Sequence, residues 1–170
     1  AFARNTVMSS DDFPLKNLAR LVKRQYGIDT LDKLLRRHLD LTLNIAHGGI
    51  TIDNNPDELQ RDHIFPKSKL VAANYPYETV NHYGNFHFLR GNDNGNKSDK
   101  PPHEWFRKPG TNSPYTDNDL NERLLSWELL EPGQFETLID VRGKKIREKA
   151  EKLFGISETD FNALFNDESP

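Results

Sequence analysis

Residues 61–100, RDHIFPKSKLVAANYPYETVNHYGNFHFLRGNDNGNKSDK, are the stretch around which the chain is organised. An acid and an imidazole, Asp62 and His63, stand side by side near its start and are followed by two apolar residues and a proline. Asn85 lies in a Gly-Asn step before a short aromatic run, and Asn94 follows nine positions later in a polar segment. These side chains bind cations or move protons, so we expect the function to lie here.

The same stretch predicts two short strands followed by a short helix. Residues 59–65 indicate a strand that carries the acid and the imidazole to its end, and Pro66 then ends the ladder because proline has no N–H to donate. Residues 85–89 alternate aromatic and polar side chains, which indicates a returning strand with one packed face and one polar face. Residues 92–97 are too polar for a strand and are expected to form a single helical turn.

Composition limits the class of protein. The chain has 170 residues, of which 35% are hydrophobic and 29% charged, and its mean hydropathy is -0.80. No apolar run approaches the roughly 20 residues of a membrane helix, and no signal peptide opens the chain. The absence of Cys excludes disulfides, thiolate zinc sites and a Cys nucleophile. We therefore expect a soluble cytoplasmic protein, and the start at Ala1 suggests a fragment of a longer one.

The net charge of -3 hides an uneven distribution. Residues 61–108 hold eight Lys or Arg and five Asp or Glu, so this segment carries +3 and the rest of the chain carries -6. A basic centre in an acidic chain is a mild indication of an anionic partner such as DNA. Solvated loops are also basic by chance, and charge alone leaves the two interpretations equal.

The residue types at the centre suit phosphodiester hydrolysis. That reaction needs a base that deprotonates water and a cation that neutralises charge on the leaving oxygen. A neutral imidazole, with an ordinary pKa near 6.5, is able to act as the base at cellular pH. A carboxylate and an amide oxygen are hard ligands, which favour Mg²⁺ or Mn²⁺. Neighbouring residues on a strand point to opposite faces, so Asp62 and His63 are expected to address different partners.

Three features together resemble the HNH, or ββα-metal, nuclease family. They are the segment DHIFPKS, the nine-residue step between the two Asn residues, and the segment KSDKPPHEWF that follows. The step is similar to that in the HNH domain of RNA-guided CRISPR nucleases. The similarity to the C-terminal nuclease module of GmrSD-like bacterial restriction and phage-defence proteins is greater. It covers most of residues 55–155 and extends to the helical flanks and a late Arg like Arg142.

The resemblance implies a role for each central residue. It assigns Asp62 and Asn94 to the metal, His63 to activation of water, and Asn85 to holding that base in place. It implies a nuclease that hydrolyses DNA with Mg²⁺ or Mn²⁺ and acts, nicking one strand at a time, as the effector of a defence protein. It also implies an upstream regulatory or sensor domain in the full-length protein.

Several assignments stay open at this stage. Asn96 competes with Asn94 as the second metal ligand, although Asn94 keeps both the step from Asn85 and the distance to KSD. The residues predicted to contact nucleic acid are Lys67, Lys69, His87, Arg90 and Lys97. The alternative for each is a side chain that is simply solvated. A catalytically inactive HNH-like module that binds DNA or a protein is the alternative function, and a helical interaction domain with a coincidental motif is a third.

The fold class that follows is α+β and mostly helical, with a small ββα core of two antiparallel strands and a short helix. The predicted organisation is an N-terminal helical flank over residues 1–55, the nuclease core over residues 56–108 and a C-terminal helical flank over residues 109–170, in one compact unit. Long helices are assigned to packing rather than to chemistry.

Periodic apolar residues and end signals locate the flanking helices. We expect a helix from about Ser10 to Gly27 with Pro14 in its first turn, a second from Thr30 to Gly48, a helix over residues 134–154 ended by Gly155, and a last helix capped by Ser157 with Asp160. Leu120, Leu124 and Trp127 are expected to share one helical face. Residues 51–58 are expected to form a connector, and the passage from Pro66 to Tyr83 an irregular loop.

Overall fold

The computed structural model describes residues 23–48, 59–106 and 115–165, and of residues 90–92 the backbone alone. The predicted start of the first helix, with Pro14, and the predicted connector over residues 51–58 lie outside these residues. Within them no helix is both long and apolar enough to cross a membrane.

The described residues form one long and several short helices around one two-stranded sheet, which confirms the predicted α+β, mostly helical class. Residues 23–26 are helical and end at Gly27, whose φ of 65° is left-handed. The further elements are α1 Leu31–Arg37, α2 Leu39–Ala46, β1 Leu59–His63, α3 Lys67–Ala72, α4 Tyr77–Val80, β2 Phe86–Arg90, α5 Gly91–Lys97, α6 Pro102–Phe106, α7 Asp117–Glu122, α8 Phe135–Phe154 and α9 Glu158–Ala163, with 3-10 turns at Tyr83–Asn85 and Glu128–Leu130.

Strands β1 and β2 pair antiparallel and hold the sequence motif between them. Asp62 lies opposite His87, and His63 lies opposite Phe86. Side chains alternate along a strand, so Asp62 and His87 share one face of the sheet, which we name the Asp62 face. His63, Phe86 and Phe88 share the other, the His63 face. Helix α5 begins directly after β2, which gives the order strand, strand, helix.

Within the described ranges, two groups of buried apolar side chains support the sheet, and α8 contributes to both. One contains Ile64, Phe65, Leu70, Val80, Phe106, Leu120, Leu125, Leu129, Leu130, Phe135, Leu138 and Ile139. The other contains Leu31, Leu35, Ile45, Ala46, Tyr83, Ile146 and Ala150. Because α8 presents Leu138 to the first group and Ile146 to the second, this one helix joins the two halves of the core around the 3-10 turn before β2.

Helix α8 follows the sequence prediction closely. It was expected over residues 134–154 and is found at Phe135–Phe154, with Gly155 at its end in a left-handed conformation of φ 66°. Glycine is favoured there because it has no Cβ to strain. The capping prediction for α9 is also confirmed, since Ser157 Oγ accepts from the Asp160 backbone N–H at 3.0 Å.

The passage between Pro66 and Tyr83 is more regular than predicted. It contains α3 and α4, each preceded by a proline, Pro66 and Pro76. Proline suits a helix start because the N–H it lacks would have had no partner within the helix. Leu70 and Val80 then anchor the two helices in the core. These helices are too short for a periodic pattern to show in the sequence.

Two helix predictions on the flanks are wrong in detail. The helix expected from Thr30 to Gly48 is broken at His38, whose backbone (φ -110°, ψ 65°) is not helical, so α1 and α2 are separate. The single face expected for Leu120, Leu124 and Trp127 does not form, because α7 ends at Glu122 and Leu124 has a left-handed φ of 59°.

Candidate active site

Asp62 lies at the centre of a charged group on the Asp62 face. Its side chain is 13% exposed, and its Oδ2 accepts from Lys97 Nζ at 2.7 Å and from His87 Nε2 at 3.1 Å. Burial acts to raise the pKa of Asp62, but the hydrogen bonds from His87 and Lys97 outweigh it and hold that pKa below its ordinary value. The carboxylate is therefore ionised at neutral pH.

Helix α5 covers the Asp62 face through two side chains one turn apart. Lys97 Nζ donates to the His63 backbone carbonyl at 2.6 Å as well as to Asp62, and Asn94 Nδ2 donates to Gln60 Oε1 at 2.7 Å. Gln60 and Asp62 are two residues apart on β1 and so point to the same side. Asn94 and Asp62 thus belong to the same face, as the metal assignment requires. The Asn96 side chain is exposed.

The Asp62 carboxylate and the Asn94 amide are the groups on this face that would hold a hard divalent cation. Asp62 Oδ2 is engaged by two donors, but no described side chain donates to Asp62 Oδ1 or to the amide oxygen of Asn94. The described residues hold no group of three or more His, Cys, Asp or Glu side chains placed to bind one metal ion. Mg²⁺ is commonly bound by one or two carboxylates with waters and substrate phosphate completing its shell, so a sparse oxygen set suits it better than it suits zinc.

His63 lies on the opposite face, where its ring has one polar partner among the described residues. Its ring packs on Phe86 with centroids 4.1 Å apart, and its Nε2 lies 3.1 Å from Asn81 Oδ1. Asn81 Nδ2 donates to the Tyr77 carbonyl at 2.9 Å, which fixes the amide so that its oxygen faces the imidazole. An oxygen acceptor requires a proton on Nε2, so the lone pair of neutral His63 is on Nδ1.

The surroundings of His63 keep it neutral. Burial lowers its pKa, and this outweighs the hydrogen bond to Asn81 and the charge of Asp62, both of which act to raise it. The imidazole is therefore unprotonated at pH 7 and able to accept a proton at Nδ1. Proton acceptance is the role that the family resemblance implied for this residue.

Asn85 is fully buried and holds the backbone that follows the imidazole. Its Oδ1 accepts from the Phe65 N–H at 2.9 Å, and its Nδ2 donates to the Phe65 carbonyl at 3.2 Å and to the Val80 carbonyl at 3.1 Å. Its own carbonyl accepts from the Ile64 N–H at 2.7 Å. It thus fixes the two residues after His63 rather than the imidazole itself.

Arg142 from α8 holds the other strand. The side chain is buried, with NH1 donating to the carbonyls of Gly84 at 2.9 Å and Phe86 at 2.6 Å, and Nε donating to the Arg123 carbonyl at 2.8 Å. Burial, reinforced by the nearby charge of Arg123, lowers its pKa to about 9. A Cβ on Gly84 would lie 2.9 Å from the Ile139 carbonyl, so only glycine permits this approach. A residue assigned to packing therefore supports the site.

His87 and Lys97 do not lie where the predicted phosphate contacts require. Both side chains are fully buried, and both bind Asp62. Helix α5 covers this face and Phe106 packs 5.6 Å from the His87 ring, so the expected polar face is polar but closed. Burial lowers the pKa of His87 to about 4 despite its bond to Asp62, so the ring is neutral. The prediction that these two residues contact nucleic acid is wrong.

The two other lysines do lie on the surface. Lys67 and Lys69 belong to α3, directly after the imidazole, and are exposed. Lys67 Nζ lies 5.6 Å from the centre of the Tyr77 ring, and Lys69 Nζ lies 3.7 Å from a carboxylate oxygen of Asp99. The side chain of Arg90 is outside the described residues.

Asn81 was missed by the sequence interpretation. It follows α4 and belongs to no motif quoted above, and its contact with His63 spans 18 positions of the chain. The one signal in the sequence was its position, four residues before Asn85 and between that residue and the segment DHIFPKS. The role of Lys97 in joining α5 to the Asp62 carboxylate and the His63 carbonyl of β1 was also missed, because a lysine in a polar run is usually solvated.

Comparison with known proteins gives no relative: no family model, no curated protein and no solved structure matches the chain.

Proposed function

We propose that this chain is a divalent-metal-dependent HNH endonuclease that hydrolyses DNA phosphodiester bonds one strand at a time. The observation that carries the proposal is the division of Asp62 and His63 between two faces of β1, with α5 on the Asp62 face and the imidazole on the other. The proposed metal ligand Asp62 and the proposed base His63 are thereby consecutive residues of one strand.

His63 acts as the general base in this proposal. Its neutral imidazole accepts a proton from water at Nδ1 while Nε2–H stays bonded to Asn81 Oδ1 at 3.1 Å. The water oxygen then attacks phosphorus as the P–O bond to the leaving oxygen breaks, which general-base catalysis typically accelerates by about 10²–10⁴-fold. Asn85 keeps the backbone after His63 from shifting during this transfer.

Asp62 and the amide oxygen of Asn94 would hold Mg²⁺ or Mn²⁺. When bound, the cation supplies neutralisation of negative charge on the phosphate and leaving oxygens. Lys97 keeps Asp62 ionised and at a fixed distance from the His63 carbonyl, so it orients the carboxylate rather than contacting the substrate.

Exposed Lys67 and Lys69 are the cations placed to bind the DNA backbone after the base. They neutralise phosphates and position a strand without reading its bases. One base and one set of metal ligands form one active centre, which hydrolyses one phosphodiester at a time. We therefore expect the product to be nicked DNA. As part of the same proposal the chain serves in the cytoplasm as effector of a bacterial restriction or phage-defence protein, under an upstream sensor domain.

A catalytically inactive HNH-like module that binds DNA or a protein is the second candidate. The contact that favours it is Lys97 Nζ at 2.7 Å from Asp62 Oδ2, because an ammonium group already neutralises the carboxylate assigned to the metal. In this reading the ion pair is purely structural. The two candidates differ in one result, which is whether a divalent cation produces cleavage.

The test is conversion of supercoiled plasmid by the purified chain with Mg²⁺ or Mn²⁺ and with EDTA. We expect open circles first, linear DNA late from accumulated nicks, no product in EDTA and a steep loss of rate with salt, because phosphate neutralisation releases counterions. Binding without any cleavage at every metal tested would support the inactive module. An early burst of linear DNA with discrete ends would show concerted cutting of both strands instead.

A further inference from the structure

An open cleft of about 440 Å³ lies beside α4, next to the asparagine that bonds His63. Arg36, Tyr77, Asn81 and His82 line it together with the apolar wall of Ile139. Asn81 is the residue whose Oδ1 bonds His63 Nε2, so one side chain separates the cleft from the proposed base. A volume near the lower end of the roughly 300–1,000 Å³ range of small-ligand sites has room for a single nucleotide and not for a duplex.

Tyr77 gives the cleft an aromatic surface. It is 73% exposed, although it is the first residue of a helix whose Val80 is fully buried in the core. The Lys67 ammonium lies over this ring, 5.6 Å from its centre, and does not line the cleft. An exposed aromatic ring beside a cation is the arrangement by which proteins stack bases of single-stranded nucleic acid and hold the adjoining phosphate.

His82 gives the cleft a neutral hydrogen-bond donor. Its Nδ1 accepts from the Gly84 N–H at 3.0 Å, which assigns the ring proton of the neutral form to Nε2. Burial, with the charge of Arg36, lowers the pKa of His82 to about 4, so the ring carries no charge at pH 7. A neutral N–H donor suits an oxygen or nitrogen acceptor on the edge of a base.

The charges around the cleft favour an uncharged occupant. Arg36 is the cation that lines it, but its Nε is bonded to Asp32 at 2.5 Å, and Glu78 also lines the cleft. Among the residues that line the cleft, the one cation is therefore already paired, whereas the Lys67 ammonium lies outside the lining, beside Tyr77. A planar, uncharged group with acceptor atoms on its edge fits the aromatic ring, the neutral donor and the apolar wall together.

We infer that this cleft receives one unpaired base of the DNA strand, next to the phosphodiester that His63 addresses. Tyr77 stacks on the base and His82 donates to its edge. The identity of the ligand as DNA rests on the proposed function. A base must leave its helix to enter, and this costs least where it is already unpaired. The preferred substrate class is therefore DNA with a bulged, mismatched or single-stranded nucleotide.

The test uses binding, so that it is independent of cleavage. The full chain is titrated in EDTA against two fluorescein-labelled duplexes of equal length, one perfectly paired and one with a single bulged nucleotide, and anisotropy gives each Kd. We expect the bulged duplex to bind more tightly by roughly 5- to 150-fold, the range that stacking of one base supplies. Tyr77→Ala should remove this preference, and Tyr77→Phe, which keeps the ring, should retain it.

Leu153→Ala is the matched control, because Leu153 is 65% exposed and does not line this cleft. It should leave the preference unchanged, and thermal unfolding of each variant checks the fold. Equal affinity for the two duplexes, a preference that survives Tyr77→Ala, or no binding to either duplex would each overturn the inference. Plasmid nicking judges the proposed function separately: a bulge preference without nicking would keep the base site and refute the nuclease.

Discussion

Asp62 and His63 are neighbours on one strand, and their surroundings are opposite. Asp62 meets two buried nitrogen donors, Lys97 and His87, beneath α5. His63 meets one amide oxygen, Asn81, and the ring of Phe86. The alternation of a strand thus separates a closed face with a buried ion pair from the face on which the imidazole stays neutral. If the same donors surrounded the imidazole, they would occupy the lone pair on Nδ1 that a base requires.

The difference teaches that the two residues depend on their neighbours for different properties. Asp62 needs counter-charges, because a buried carboxylate is costly unless it is paired. His63 needs a free lone pair on Nδ1, together with an acceptor that fixes its proton on Nε2. The comparison can be tested through stability on the Asp62 face and through catalysis on the His63 face.

The largest expected effect is on stability at the Asp62 face. Asp62→Ala leaves the fully buried Lys97 ammonium without its carboxylate, which typically costs about 3–5 kcal/mol in the free energy of unfolding. His63→Ala should cost only about 1 kcal/mol, a common value for a partly buried side chain. Urea denaturation of both variants measures the difference, and equal losses would contradict the division between the faces.

The double variant Asp62→Ala/Lys97→Met is the control for this stability effect. It removes both charges and keeps an apolar side chain of similar length at residue 97. Replacement of a buried ion pair by apolar residues is often close to neutral, so much of the lost stability should return. Further loss relative to Asp62→Ala would show that Lys97 stabilises β1 mainly through the His63 carbonyl.

The next effect concerns the acceptor on the His63 face. Asn81→Ala removes the oxygen that fixes His63 Nε2–H, and we expect kcat for plasmid nicking to fall about 10- to 100-fold, as for loss of orientation of a catalytic group. Asn81→Asp keeps an acceptor at this position and should restore most of the rate at pH 8. A nicking rate unchanged in Asn81→Ala would show that the contact does not position the base.

A smaller effect separates the two asparagines of α5. Asn94 lies over the Asp62 face beside Gln60, whereas the Asn96 side chain is exposed. Asn94→Ala should raise the Mg²⁺ concentration for half-maximal nicking by about 10-fold or more, as loss of a supporting metal contact commonly does. Asn96→Ala should leave it nearly unchanged. The reverse order in a metal titration would assign the ligand to Asn96.

The smallest expected effect lies at His47, which packs on Phe88 of the His63 face with ring centroids 5.9 Å apart. Burial, reinforced by the charges of Arg142 and Arg123, lowers the pKa of His47 from 6.5 to about 3. Between about pH 6.5 and pH 3, His47 is therefore protonated in the unfolded chain and neutral in the folded protein. The contribution of His47 to the free energy of unfolding is complete above about pH 6.5 and is lost as the pH falls toward 3.

Urea denaturation at pH 7 and pH 5 measures this loss at His47. After allowance for its partial exposure, we expect it to contribute about 1 kcal/mol of the stability lost between these values. His47→Gln carries no titrating group and should lose correspondingly less. Parallel losses in the wild type and the variant would assign the pH dependence to other groups.

The sequence predicted those parts of the fold that local chemistry decides. Pro66 marked the end of β1, the alternation of residues 85–89 marked β2, and Gly155 marked the end of α8. In each case the signal is a backbone restriction or a periodic pattern, and either can be recognised in the sequence without knowledge of the tertiary packing.

The rest of the site depends on contacts between distant positions. Lys97 reads as a surface residue, and only the packing of α5 on β1 buries it beside Asp62, 35 positions earlier in the chain. His87 is buried for the same reason. Asn81 gains its meaning only when α4 brings it to His63. The sequence indicated which residue types form the site but not which of their side chains are buried, because burial is a property of tertiary packing.

The central claim is that His63 is the base of a metal-dependent nuclease, and nicking by His63→Ala tests it most directly. Wild type and variant are compared on supercoiled plasmid with Mg²⁺, after thermal unfolding and duplex binding show that the variant is folded and binds DNA. We predict a rate at least about 10²-fold lower, the smallest loss usual for a general base. Nicking at the wild-type rate by folded His63→Ala would contradict the account.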